Sequence, residues 1–248
     1  MPAARLLSQH SMELRVSDLE TERLGVRVGR AEGVTAGDVP LLLEWAHTQA
    51  LEFLIARTDA ADAEAALALL ASSARCVSTE IHYRGGLEPR PVASTCQIAP
   101  VEKSEREQVI ALASAAFAAY PSHYRMATRL DQRKVEAIYS DWAARCLDEK
   151  AAELTLVARS GGKILGFSSF TRTGRDGAQL VLGAVDPAAR GQRLYSQLTI
   201  AGMTWAKEKG RRWILAITQA GNIPAQRSWV AVGLSPASAT STFHLWPA

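Results

Sequence analysis

The amino-acid sequence predicts an α/β fold on a mixed sheet, with a small α/β domain over residues 1–91 and a larger one over 92–248. Strand-length apolar runs alternate along the whole chain with segments of helical period. Two of these runs, QLVLGAV at 179–185 and RWILAIT at 212–218, are apolar on both faces, as strands inside a parallel pair are. Between the halves, GGLEPRP at 85–91 places two Gly and two Pro in seven residues, the best linker in the chain.

In the first domain, 12–16 and 25–30 read as strands, 40–49 as a helix and 50–57 as a buried strand. An Ala/Leu helix follows over 59–71 with Asp59 as its N-cap, and 76–83 alternates like a strand. The order is ββαβαβ. It carries no catalytic constellation, and no internal repeat is visible at the level of residues. The second domain opens with a strand at 95–101. Ser104 then caps a helix with Val109, Leu112, Ala113, Ala116 and Phe117 on one face. After the loop AYPSHYRMATRL, a helix from Asp131 lines up Val135, Ile138, Trp142 and Cys146. Strands at 154–159 and 164–172 flank the turn SGGK as a hairpin. The strand at 179–185 leads to a helix from about Arg190 to Lys209, stopped by Gly210. A strand at 212–218, a helix at 224–232 and a strand at 241–246 complete the order.

Composition narrows the function classes. The net charge is +3, and the Lys and Arg residues are spread along the chain, without the basic stripe of a nucleic-acid binder. Cys76, Cys96 and Cys146 have no metal-ligand spacing, so reduced thiols and no metal are expected. The first sixteen residues lack the pattern of a signal peptide, and no run approaches the ~18 apolar residues of a spanning helix. A cytoplasmic protein without a membrane partner is the expectation. His10, His47 and His82 read as surface or half-buried residues, and His244 as a core or strand-pairing histidine, with reach to the site from the terminal strand as the alternative.

The segment VDPAARGQRLYSQL, Val185 to Leu198, carries the chemistry. A buried strand ends, Asp186-Pro187 turns the chain, and Arg190-Gly191 opens a helix. A helix N-terminus presents unpaired N–H groups and a partial positive charge, which suits a pyrophosphate. Gly191 permits close approach of backbone to anion, and Arg190 and Arg193 add charge. Downstream come a second buried strand, Asn222, a short helix with Trp229, and Gly233-Leu234.

With these spacings the chain from about Thr95 onward resembles the GNAT acyltransferase superfamily, whose pattern is V-x-P-x-x-R-G-x-G-x-G/A followed by N-x-x-A-x-x-x-Y-x-x-x-G-F. Val185, Pro187, Arg190, Gly191, Asn222, Ala225, Gly233 and Leu234 fit it in order. The resemblance implies a GNAT fold, preceded here by a smaller domain that reads as a degenerate GNAT-like half. It implies acetyl-CoA, or another short acyl-CoA, as co-substrate. The pantetheine arm would lie against Gly183, Ala184 and Val185. The pyrophosphate would sit on the N–H groups of Arg190, Gly191, Gln192, Arg193, Leu194, Tyr195 and Ser196, and Asn222 would hold the arm or its surroundings.

Two departures stand out. Arg193 and Tyr195 occupy positions where the family has Gly and Gly or Ala, and Trp229 replaces the tyrosine that often protonates the departing thiolate. Indole has no proton that titrates in the useful range, so Trp229 is placed along the CoA arm. Tyr195 and Trp229 are the catalytic candidates, and the general acid and base stay open. The loop after the first helix of this domain would line the acceptor pocket, with His123, Tyr124 and Arg125, and Gln179 stands where some members carry a carboxylate. The layout also looks like that of the TDP-fucosamine N-acetyltransferase group, which implies a small amine, a nucleotide-linked amino-sugar, as acceptor, and leaves room for a homodimer. The alternatives are a protein, peptide or antibiotic amine as acceptor, or a non-catalytic acyl-CoA-binding module.

Overall fold

The computed structural model describes residues 12–93 and 96–247, so His10 and the expected strand start at Thr95 lie outside the described residues. The chain divides into two compact units. Unit 1 comprises Met1–Glu80, Met126–Leu130 and Ala239–Ala248, and unit 2 comprises Ile81–Arg125 and Asp131–Ser238. A single cut near residue 91 cannot reproduce this division. Strands β4 (Arg75–Gly85) and β10 (Ser235–Leu245) each begin in one unit and end in the other.

Unit 1 is built from β1 (Glu13–Val16), α1 (Asp18–Leu24), β2 (Val28–Glu32), α2 (Val39–Thr48), β3 (Phe53–Asp59) and α3 (Ala63–Ala71). Its strands run β1-β2-β3-β10, with β2 and β3 parallel and β10 antiparallel to β3 from Thr240↔Asp59 to Leu245↔Leu54. Helix α1 was not expected from the sequence, because its seven residues hold only two leucines and no clear stripe. Capping forms it: Ser17 accepts from the Glu20 N–H, and Gly25 ends it at φ +73°. The cap of α3 is Asp62 rather than Asp59, whose carboxylate instead accepts from Ala61 in the preceding turn. Leu42, Leu54, Ala56, Leu69 and Phe243 pack together on one face of these strands.

The buried polar side of unit 1 is ionic. Arg30 grips Glu20 with two nitrogens, each 2.6 Å from a carboxylate oxygen. The chain of charges continues through Glu32 to Arg57, and from Arg57 to Glu80 at 3.2 Å. His244 is 3% exposed with its ring 4.7 Å from Phe53. It belongs to the β10–β3 ladder, as a strand-pairing histidine should.

Unit 2 contains β5 (Gln97–Pro100), α4 (Arg106–Phe117), α5 (Gln132–Leu147), β6 (Leu154–Ser160), β7 (Lys163–Thr173), β8 (Gly177–Val185), α6 (Leu194–Glu208), β9 (Trp213–Gln219) and α7 (Ile223–Ala231). The strand order is β4-β9-β8-β7-β6-β5, parallel only between β8 and β9 in the registers described. Two clusters fill it. Leu180, Leu198, Met203, Ile214 and Trp229 belong to one, and Val109, Ala113, Phe167, Leu182 and Ala184 to the other.

Structure reveals an internal repeat that the residues hide. Shifted by 160 positions, β3–α3–β4 superposes in order on β9–α7–β10. In both copies the parallel ladder is four pairs long, Val28↔Phe53 to Ala31↔Ala56 and Gly177↔Trp213 to Leu180↔Ala216. Asp62 and Asn222 cap equivalent helices, Leu69 and Trp229 are equivalent buried residues, and Ser73 and Gly233 share a positive φ. One bond differs. Asn222 Nδ2 donates to Thr218 Oγ1 at 2.8 Å, whereas the Asp62 carboxylate has no N–H to give, and Thr58 Oγ1 is buried without a partner.

Two outcomes test this account. Asp62→Asn should keep the cap and restore the missing bond to Thr58, raising the urea midpoint by the equivalent of ~1 kcal/mol; a lower midpoint would refute it. For His244, burial comes first among the causes that push its pKa down to about 4 from 6.5, with Arg30 and Arg57 acting the same way and Glu20 opposing. The unfolded chain therefore binds more protons between these values. The histidine's contribution is complete above its ordinary pKa and is lost as pH falls toward 4. Relative to His244→Phe, the wild type should lose about 3 kcal/mol between pH 7 and pH 4. Parallel urea curves for the two proteins across that window would rule this out.

Candidate active site

The site begins where β8 and β9 part. Their parallel ladder ends at Leu180↔Ala216, although β8 continues to Val185 and β9 to Gln219. A bulge lies at this point. Between Ser169 and Phe170 the β7–β8 register shifts so that Val181 has no opposite residue, and an extra residue bends a strand and increases its twist. The bulge also exchanges faces. Ala178 and Leu180 pack in the cluster of α6 and α7, whereas Leu182 and Ala184 pack in the cluster of α4 and α5. Gly183 consequently faces α6, and Gln179 shares the α4/α5 side with Leu182.

The loop after β8 is built to hold its backbone open. Asp186 accepts from the Ala188 N–H, which fixes the turn. Gly191 has φ +83° with empty space where a side chain would project. Arg193 has φ +58°, so α6 starts at Leu194 rather than near Arg190, because neither residue is helical. A left-handed arginine is strained by ~1–2 kcal/mol, which explains why glycine suits this position better. Arg193 makes no side-chain cap bond, so the first-turn N–H groups of Leu194, Tyr195 and Ser196 stay available. Arg190, Gly191, Gln192 and Arg193 are all exposed.

Tyr195 does not crowd this loop. Its ring lies over Gly183, where an added Cβ would come within 2.8 Å of Tyr195 Cε2 and 2.6 Å of Ser168 Oγ. A missing side chain on β8 thus accommodates the extra ring on α6. Burial pushes the Tyr195 phenol well above its ordinary value, and Tyr120 adds to the rise. The indole N–H of Trp229 acts in the opposite direction, although Nε1 makes no hydrogen bond of normal geometry. The two rings are 6.1 Å apart. Trp229 is 1% exposed and is backed by Tyr83 at 5.5 Å. Ser196 Oγ donates to the Ser228 carbonyl, tying the first turn of α6 to the residue before Trp229.

The other expected site residues are placed differently. Asn222 has both polar atoms engaged, Oδ1 as the cap of α7 and Nδ2 on Thr218, so it braces the end of β9. His123 and Tyr124 are not presented by a solvated loop. They are 6% and 8% exposed with rings 3.9 Å apart. Arg125 keeps a partly exposed side chain, donates to the Ala118 carbonyl at 2.6 Å and lies 3.9 Å from Glu136. Sequence reasoning passed over Ser168, which is fully buried on β7 opposite Gly183 with an unpartnered hydroxyl. A serine in the apolar run ILGFSSF was the available signal. Among the described residues no group of three or more His, Cys, Asp and Glu is placed to hold a metal, and no helix is long and apolar enough to cross a membrane.

Residues 113–233 match the model of the Acetyltransferase (GNAT) family. The spore coat polysaccharide biosynthesis protein SpsD of Bacillus subtilis (strain 168) is 26% identical over 152 residues, 61% of this chain and 51% of that protein. The match thus spans about half the length of that relative. Among solved structures, an acetyltransferase of the GNAT family from Colwellia psychrerythraea aligns at TM-score 0.59 and 13% identity, covering 85% of this chain and 72% of that one. A tandem GNAT protein from the clavulanic acid biosynthesis pathway aligns at TM-score 0.59 and 15% identity, covering 90% and 76%. Parted strands, an open helix N-terminus and the family match coincide: this chain has the GNAT fold, and its residues 113–233 are similar to the GNAT acetyltransferase family.

Proposed function

We propose that the protein is an acetyl-CoA-dependent N-acetyltransferase acting on a small amine, with a nucleotide-linked amino-sugar as the leading acceptor. The observation that carries the first part is the parting of β8 and β9 after Leu180↔Ala216, beside the uncapped N-terminus of α6. The residues present fit the co-substrate. Gly183, Ala184 and Val185 offer backbone along the opened strand, Arg190 to Ser196 offer N–H groups and two guanidinium charges, and the buried Ser168 hydroxyl beside Gly183 has no partner. Acetyl-CoA supplies an activated acyl group on a good leaving group. Asn222 acts on the arm's surroundings, by bracing β9 and α7.

For the acceptor, the support is a relative named for polysaccharide biosynthesis and the amine chemistry of the family. Gln179 and Arg125 are the proposed acceptor contacts. Arg125 retains exposure and could meet a phosphate. His123 and Tyr124, buried beside Arg125 in the chain, complete the proposed acceptor set.

Three measurements follow from this reading. Purified protein with acetyl-CoA should release thiol, followed with 5,5′-dithiobis(2-nitrobenzoate), when given TDP- or UDP-amino-sugars; turnover only with peptides or antibiotics would move the acceptor class. Gly191→Asp should abolish CoA binding by calorimetry in a folded protein, since it places a like charge at the helix N-terminus and a side chain at φ +83°. Arg193→Gly should leave thermal stability equal or higher by relieving its backbone, and should weaken CoA roughly tenfold by removing a phosphate partner. Unchanged affinity there would detach Arg193 from the pyrophosphate.

A further inference from the structure

The paired ends of β8 and β9 carry a second concentration of charge, away from the parted strands. Gly177 faces Trp213 as the first pair of their parallel ladder. From there the nine-residue β8 runs on to Val185, which sets these ends roughly 26 Å from the loop before α6. A cavity of about 540 Å³ lies here, lined by Arg84, Gly85, Gly86, Asp176, Arg212 and Trp213, all of unit 2. That volume suits a small molecule. Arg84 is held ready by packing. A Cβ on Gly177 would meet Trp213 Cη2 at 2.3 Å, so the indole lies over the glycine, and the Arg84 guanidinium sits 4.1 Å from the centre of that ring. Stacking occupies a face of the guanidinium and leaves its N–H edge free, and among the described residues no group accepts from it. Arg212 is the second cation. Its side chain is 80% exposed and lies 3.8 Å from Asp176, too far for a hydrogen bond, while its backbone N–H donates to the Asp176 carbonyl at 2.7 Å. Arg211 spends its guanidinium on the Lys209 and Arg175 carbonyls, so no carboxylate offsets its charge.

We propose that this cavity binds a small molecule carrying a phosphate or diphosphate, at a site separate from the gap between β8 and β9. Asp176 is the one carboxylate lining it among the described residues, against the two guanidinium groups of Arg84 and Arg212. Like charges gathered this way favour a counter-anion, and the planar fork of arginine matches phosphate oxygens in pairs. The stack on Trp213 lowers the entropy lost when Arg84 engages its ligand, because the guanidinium is already positioned. None of these residues belongs to the proposed acetyl-CoA or acceptor contacts, so the two readings stand or fall separately.

The test titrates inorganic pyrophosphate and UDP into the full-length Gly191→Asp protein, whose added carboxylate disfavours anions at α6 and leaves the cavity as the remaining site. Calorimetry should show saturable binding of both probes. The protein has six tryptophans, and the ¹⁵N indole signal missing in Trp213→Phe, or in Trp213→Tyr should the Phe variant fail to fold, is that of Trp213. This signal should move on titration. Arg84→Ala and Arg212→Ala, both at exposed positions, should each weaken binding about tenfold or more. Arg84→Lys keeps the charge but gives up the fork and the stack, so it should behave like Arg84→Ala. Tighter binding of UDP than of pyrophosphate would support a site that includes the nucleoside, and equal binding would support one confined to the diphosphate. Undiminished affinity in Arg84→Ala, an unmoved Trp213 signal, or binding of neither probe at millimolar concentration would overturn the proposal. So would binding of duplex DNA in place of both small anions.

Discussion

A single extra residue in β8 organises the site. With Val181 bulged out, β8 bends away from β9 four residues into their parallel ladder, and everything that follows depends on the gap this opens. The strand beyond the bulge turns a different set of side chains to each layer, so Gly183 faces α6 and Leu182 and Ala184 anchor to the α4/α5 layer.

The repeat in unit 1 shows what the gap requires. Its four-pair ladder is the same length, yet there the Val34 N–H returns to the Arg57 carbonyl at 2.9 Å, so the chain leaving β2 bonds back onto β3. The turn that follows is capped by Asp38, whose carboxylate accepts from both the Thr35 N–H and its hydroxyl. A carboxylate at that point disfavours a phosphate. The equivalent turn in unit 2 offers exposed arginines and open N–H groups instead. One supersecondary plan thus yields a closed, ion-paired copy and an open one.

Within the open copy, departures from the family pattern compensate one another. Tyr195 is too large for a position that favours Gly or Ala, and the absence of a side chain at Gly183 makes room for it. Trp229 lacks the titratable hydroxyl but brings a buried N–H of its own. Arg193 holds a backbone conformation better suited to glycine, and in return sets an exposed guanidinium in the loop before α6.

The sequence by itself determined the fold class, nearly every strand and helix of unit 2, and the strand–turn–helix of Val185 to Leu198, because those features rest on local periodicity, turn residues and fixed spacing. It missed α1, whose seven residues are held by caps rather than by an apolar stripe. It also missed the repeat, because its identities, Ala56, Thr58, Ala60, Ala65, Ala71 and Ser78 against Ala216, Thr218, Ala220, Ala225, Ala231 and Ser238, are small or common residues that do not stand out without the shared register and caps. Tertiary structure alone decided that β4 and β10 divide between the units, that His123 and Tyr124 are covered, and that Ser168 keeps an unpartnered hydroxyl beside Gly183. Each of these depends on which distant residues become neighbours. Periodicity along the chain cannot encode the one-residue bulge that turns Gly183 toward Tyr195; only the pairing of β7 with β8 fixes it.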